Sequence, residues 1–375
     1  MRIKSMSSNI TLKQANFARK AKIKGRRIVL LAAMLACGGM QSRATAALLA
    51  VEYGIPDTIS GTTYTTPPDV LSIATPSGAK STFATTNLNG PIGISIDGNN
   101  NVYVVDQGLT SSSTPHDSVA KFSSTGTPMS FYVSPSTPPG NTLNAPIDVA
   151  FDSSNNGYVS SGTAPNPPYG YIADYNSSGA FVQSFGTANT NVPSGILYNP
   201  VNHLLYIANS ATSSGPNTNS ILIYNPASIA SAPTIITPTG AGALDSPQQI
   251  TNDAAGNIYI ASFGSAGGVA RLQEYTSTGV YIRTVASLAG GGAEGVAYDT
   301  TTNTLYASYL NGGGANGYIE RYQIGAGVTD LGVLASGLNN IAYLAIAPTP
   351  VPEPATSISL AAAATLLLCR RRRQK

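Results

Sequence analysis

Tryptophan is absent from this 375-residue chain, histidine and cysteine occur twice each, and charged residues make up only 10%. Each shortage excludes something. Without tryptophan the strongest aromatic platform for stacking a sugar ring is missing. His116 sits in a Ser/Thr/Pro loop and His203 in a turn, far apart in sequence, so no positioned acid–base pair is visible. Cys37 and Cys369 both fall in terminal segments expected to be removed. That leaves the body without a disulfide, a thiol nucleophile or a cysteine metal site. The glycine runs Gly290-Gly291-Gly292 and Gly312-Gly313-Gly314 lack the lysine and following helix of a phosphate loop. Basic residues are scarce outside the ends. Between positions 47 and 349 only Lys80, Lys121, Arg271, Arg283 and Arg321 oppose 16 acidic residues, a formal charge of −11. Such a body has no basic face to displace counterions from phosphates, which excludes nucleic acid as a partner.

The positive charge is concentrated at the two ends. Lys20, Lys22, Lys24, Arg26 and Arg27 precede the apolar run 28–36, and small residues lead to Ala44-Thr45-Ala46. This is the three-part grammar of a secretory signal with cleavage after Ala46, and the run is short against the ~20 residues of a spanning helix. Arg26 and Arg27 leave both general and twin-arginine export open. At the other end, Val351-Pro352-Glu353-Pro354 leads into the apolar run 358–369 and then Arg370, Arg371, Arg372 and Arg373. These three parts in this order resemble the PEP-CTERM sorting signal, also described as an ice-binding-protein C-terminal domain. The resemblance implies recognition of the Pro-Glu-Pro element by an exosortase and removal of the tail after export. Physically, the apolar run would form a transmembrane helix while the arginines stay cytoplasmic.

The body is a repeat. Pro91-Ile92-Gly93-Ile94-Ser95-Ile96-Asp97 is followed after a turn by Val102-Tyr103-Val104, and counterparts begin at Pro146, Pro193, Pro247 and Ala293. The copies recur every ~46–55 residues, the period of propeller blades. Each continues with a third strand ending on an aromatic (Phe122, Tyr175, Tyr224, Tyr275, Tyr322), usually a Ser/Thr/Gly turn, and a fourth, outer segment such as 181–185. Four short strands rich in β-branched and aromatic residues make one blade. The termini supply the missing one. Residues 340–347 read as a first strand without partners, and 47–53 and 69–73 as later strands without a first, so joining them gives a sixth blade that removes an exposed edge. A seventh blade would have to hide in 54–68. The expected fold is therefore an all-β, six-bladed propeller over residues 47–349, between a signal helix in 1–46 and a sorting tail in 350–375.

The motif P-x-G-[VI]-x-x-D followed by [VIL]-Y-[VI] resembles the NHL repeat, with Asp148 and Gln249 standing where glycine is expected. Six-bladed lactonases of the gluconolactonase family are related, and that likeness implies a divalent cation over the central channel. Its ligands would come from the second position of each opening, here Ile92, Ile147, Ser194, Gln248 and Glu294. Only Glu294 resembles the family's carboxylate, and a hard cation wants several oxygens. Asp97, Asp152, Asn199, Asp253 and Asp299 stand where the chain turns back and read as turn-forming side chains rather than calcium ligands. The repeated Tyr103, Tyr158, Tyr206, Tyr259 and Tyr306 read as packing residues. Tyrosine-rich loops such as 167–171 are the better candidates for contact.

These features point to an exported propeller acting as a non-enzymatic binding or structural module at the cell envelope surface or in extracellular matrix. Its partners would be the export machinery, an exosortase, the membrane through the tail, and surface polysaccharide or protein. A metal-dependent lactonase- or lyase-like enzyme is the alternative.

Overall fold

The computed structural model describes residues 47–347 apart from 54–57, 60–61, 64–68, 76, 108–116, 136–142, 163–168, 211–216, 265–268, 290–291 and 311–315. Ala46, Pro352, Glu353, Pro354 and Arg370–Arg373, with the expected signal and transmembrane helices, lie outside the described residues. So does the whole of Met1–Thr45. Among the described residues no helix is long and apolar enough to cross a membrane.

Each repeat folds as an antiparallel meander, because its four strands follow one another through turns too short for any other path. Blade 2 shows the plan, with Pro146–Phe151, Gly157–Ser161, Tyr171–Tyr175 and Phe181–Phe185 paired in that order. Its first three strands are buried throughout and the outer one is largely exposed. Blades 3, 4 and 5 repeat it from inner strands Val192–Asn199, Pro247–Asn252 and Gly292–Asp299. Among the described residues blade 1 has three strands (Pro91–Ile96, Val102–Asp106, Ser118–Phe122), with the bridges Val119↔Val133 and Phe122↔Pro128 at its outer edge.

Blade 6 is the composite. Ile341–Ile346 forms its inner strand and pairs with Ala47–Glu52, followed by Asp69–Ala74 and Lys80–Ala84. The register Leu48↔Ile346, Leu49↔Ala345 and Ala50↔Leu344 joins the two ends of the body, and the Ala347 N–H donates to Ala47 O at 2.8 Å. The described part of 54–68, the segment left open for a seventh blade, forms a two-stranded hairpin, Thr58–Ile59 with Thr62–Thr63. The propeller therefore has six blades.

The turns after the inner strands are built as expected. Asp97 Oδ1 accepts the N–H groups of Asn99 and Asn101, and Oδ2 accepts the Asn101 amide and the Tyr103 hydroxyl. Asp152 and Asp253 repeat the arrangement. The repeated tyrosines are thus buried side chains whose polar tips in several blades tie the second strand to the turn before it. At the outer turns, Gly126 and Gly179 adopt φ of +82° and +83°, and a Cβ there would lie 2.1 Å from Phe83 O and 1.9 Å from Tyr132 O. Only glycine serves both the left-handed turn and the close approach of the preceding blade.

The apolar core runs round the ring as wedges between neighbouring blades. Leu48, Leu71 and Ile73 of blade 6 pack with Tyr306, Ile319 and Leu338 of blade 5. Tyr103 and Val119 of blade 1 pack with Val149, Phe151 and Tyr175 of blade 2. Because every blade buries both faces, the second strands read as continuous apolar runs rather than alternating ones.

Candidate functional site

Each inner strand opens on the central channel with a three-residue segment at or one residue inside its start. Round the ring these read Pro91-Ile92-Gly93, Pro146-Ile147-Asp148, Pro193-Ser194-Gly195, Pro247-Gln248-Gln249, Ala293-Glu294-Gly295 and Ile341-Ala342-Tyr343. At the third position glycine alternates with a large polar residue. A Cβ on Gly93 would lie 2.3 Å from Ile147 O, one on Gly195 2.4 Å from Gln248 O, and one on Gly295 2.5 Å from Ala342 O. Each glycine is thus set by the backbone of the following blade, which carries the large residue. In every blade a register shift interrupts the pairing of the inner with the second strand at this opening.

The three large residues span the channel. Gln249 of blade 4 accepts the Val296 N–H of blade 5 at 2.8 Å and the Leu344 N–H of blade 6 at 2.9 Å through Oε1. Its Nε2 donates to Leu344 O at 2.8 Å. Tyr343 of blade 6 is fully buried, with its hydroxyl 3.5 Å from Gln248 Oε1 of blade 4. Asp148 of blade 2 is 2% exposed and accepts the Ile196 N–H of blade 3 at 3.1 Å through Oδ2, while Oδ1 has no partner among the described residues. Burial holds the Asp148 carboxyl well above the usual carboxylate range, against the lowering effect of the Ile196 and Val149 N–H groups. Two serines complete the seam. The Asp148 N–H donates to Ser160 Oγ, which donates to Ser194 O at 2.6 Å; the Gly295 N–H donates to Ser308 Oγ, which donates to Ala342 O at 2.7 Å.

Glu294 lies on the mouth side of this plug, half-buried, and burial alone pushes its carboxyl up to about 7. Burial, then the charges of Asp148 and Glu294, raise the Tyr343 hydroxyl well above its usual value, so the three groups share one electrostatic neighbourhood. Of the other second-position residues, Ile92 and Gln248 are half-buried and Ile147 and Ser194 are buried. Among the described residues no three His, Cys, Asp or Glu side chains come together. Among the described second-position residues the oxygen-bearing side chains are the Glu294 carboxyl, the Gln248 amide and the Ser194 hydroxyl, so backbone and water oxygens would have to complete the shell of a hard cation.

Other expected residues fall elsewhere. His116 is outside the described residues. His203 is exposed in its turn at φ 60°, but it has a partner, the Tyr198 hydroxyl 3.0 Å from Nδ1. Tyr171, expected in a contact loop, is 5% exposed and packs in the wedge between blades 1 and 2, because the strand begins at that residue. The plug residues were visible in sequence only as departures from a glycine motif. The alternation of glycine with Asp148 and Gln249 was the available signal, and Tyr343 carried none because the sixth opening lacks the motif.

No family model matches the chain, and no curated protein matches it. Among solved structures it is similar to a chain in the crystal structure of a nidogen/laminin complex, with a TM-score of 0.59 and 14% identity over 81% of this chain and 99% of that one. It is also similar to a periplasmic gluconolactonase of Pseudomonas aeruginosa, with a TM-score of 0.51 and 10% identity over 82% of this chain and 100% of that one. At these identities the likeness is one of fold. One relative comes from a protein–protein complex and the other is an enzyme, so the architecture serves both kinds of protein.

Proposed function

We propose that this chain is an exported propeller that acts as a non-enzymatic binding or structural module at the cell surface or in extracellular matrix, delivered through exosortase-type sorting of its tail. The observation that supports the non-enzymatic reading most is the plug. Gln249 spends its amide on the backbones of two other blades, and Asp148 spends one oxygen on a third. Side chains committed in this way knit the ring together and are not free to turn over a substrate. The basic-apolar-small N-terminus and the Pro352-Glu353-Pro354, apolar, Arg370–Arg373 tail support export and sorting.

A lactonase- or lyase-like enzyme is the second reading, favoured by Glu294, whose carboxyl near 7 suits proton transfer at neutral pH. Calorimetric titration of the full chain with calcium, magnesium, manganese and zinc, followed by a lactone-hydrolysis screen, separates the two. The binding reading expects neither stoichiometric cation binding nor turnover. Both, lost together in Glu294→Ala, would overturn it.

A further inference from the structure

Behind the plug, on the side away from Glu294, the channel widens into a chamber of about 510 Å³. Its walls are the second halves of the inner strands with residues of the turns that follow them, such as Gly98, Asp152 and His203, and none of the second-position residues of the mouth lines it. Asp148 and Gln249, 2% and 5% exposed, form its inner end and are bonded across to blades 3, 5 and 6. The chamber is therefore blind. It admits the end of a chain or a small molecule and does not thread a polymer.

The lining sets the chemistry of the occupant. No lysine or arginine lines it, and its one histidine, His203, is exposed in its turn and bonded to the Tyr198 hydroxyl, so a phosphate or carboxylate would meet Asp152 with no fixed positive charge to balance it. A cation fares no better. Asp152 already accepts the Ser154 and Asn156 N–H groups, the Asn156 amide and the Tyr158 hydroxyl, and burial favours the neutral form of Asp148. What remains is neutral and two-sided. Ser95 and Thr251 line it from half-buried positions, their hydroxyls without a hydrogen-bond partner among the described residues, and Asn252 adds an amide whose Nδ2 donates to Asp253 O. Tyr198 and Tyr298 line the chamber from half-buried positions, their hydroxyls anchored on His203 Nδ1 and Asn303 Oδ1. Aromatic surface for apolar C–H groups from Tyr198 and from Tyr298, which stacks one face on Tyr259 at 5.3 Å, beside hydroxyl and amide groups, matches a hexose, and the volume falls within the ~300–1,000 Å³ of ordinary ligand pockets.

We propose that this chamber binds the terminal unit of a neutral glycan. The proposal deepens the binding-module reading and rests on it, at a site separate from the channel mouth.

The test uses the full chain in calorimetric titration with neutral di- and trisaccharides, alongside gluconate and putrescine as anionic and cationic probes. Capping the reducing or the non-reducing end shows which terminus enters, and a free monosaccharide shows whether the polymer is needed. Saturable binding of neutral sugars alone is expected, weakened about tenfold by Thr251→Val and by Ser95→Ala, each a loss of one to two hydrogen bonds. Ala345→Phe, which adds bulk to the wall, should abolish it, with far-UV circular dichroism checking the fold. Glu294→Gln should leave it unchanged. Loss of binding in Glu294→Gln with Thr251→Val unaffected would move the ligand to the mouth and overturn the chamber while keeping the binding module. Binding of gluconate or putrescine in place of neutral sugars would overturn the ligand class. No saccharide binding, with capture of a protein partner instead, would overturn the proposal and leave the module reading standing.

Discussion

Gln249 is the side chain on which the plug argument depends most, and its removal has a calculable cost. Truncation in Gln249→Ala leaves the Val296 and Leu344 N–H groups and Leu344 O without the partners they have at 2.8–2.9 Å, in a residue position 5% exposed. An unsatisfied buried polar group costs about 1–3 kcal/mol, and water entering the vacated space would recover part of it. The net loss should be about 3–6 kcal/mol, a fall in Tm of roughly 6–12 °C for a body of this size. Gln249→Glu sharpens the test. It keeps both acceptor bonds but places a carboxylate oxygen against Leu344 O, so its deficit should grow as pH rises and shrink when the new carboxyl is protonated. Thermal melts followed by far-UV circular dichroism and tyrosine emission, which no tryptophan obscures, measure both variants. A Tm change under about 2 °C for Gln249→Ala, or a pH-independent Gln249→Glu, would refute the claim that this amide ties three blades together.

Two further outcomes follow from the same geometry. Gly295→Ala should cost about 2–3 kcal/mol, because its Cβ would meet Ala342 O at 2.5 Å and Ser308 Oγ at 2.7 Å; a melt within 1 °C of the parent would show that the neighbouring backbone can retreat. At the ring closure, Glu52 and Asp69 face each other across paired strands, and burial, then the Asp69 charge, pushes the Glu52 carboxyl from 4.5 up to about 7 against the Asn339 N–H. The folded chain then holds this proton more tightly than the unfolded one. Stability is full below pH 4.5 and falls as pH rises through 7, by roughly 1–2 kcal/mol after screening of these half-exposed groups. Glu52→Gln should flatten the Tm profile between pH 5 and 8 and exceed the parent at pH 8, and parallel profiles would contradict it.

Much of the architecture was legible because it is local. Alternating and β-branched runs, aspartates two residues ahead of the N–H groups they accept, and glycines at outer turns all act within a few residues, so five copies declared themselves. The composite blade followed from arithmetic, since 340–347 lacked later strands and 47–53 lacked a first. The strand Lys80–Ala84 was not foreseen, because exposed Lys80, Ser81 and Thr82 carry no apolar pattern at an outer edge. Among the described residues blade 1 likewise shows no fourth strand, which the repeat would lead one to expect. The sequence by itself thus determined the repeat and the turns and put the blade count at six, with the structure closing the question of a seventh. Tertiary structure decided what Asp148, Gln249 and Tyr343 do, since Asp148 meets Ile196 at a separation of 48 residues and Gln249 meets Leu344 at 95. Only ring closure brings such positions to one axis, where a side chain that breaks a glycine motif in its own blade becomes the bond between others.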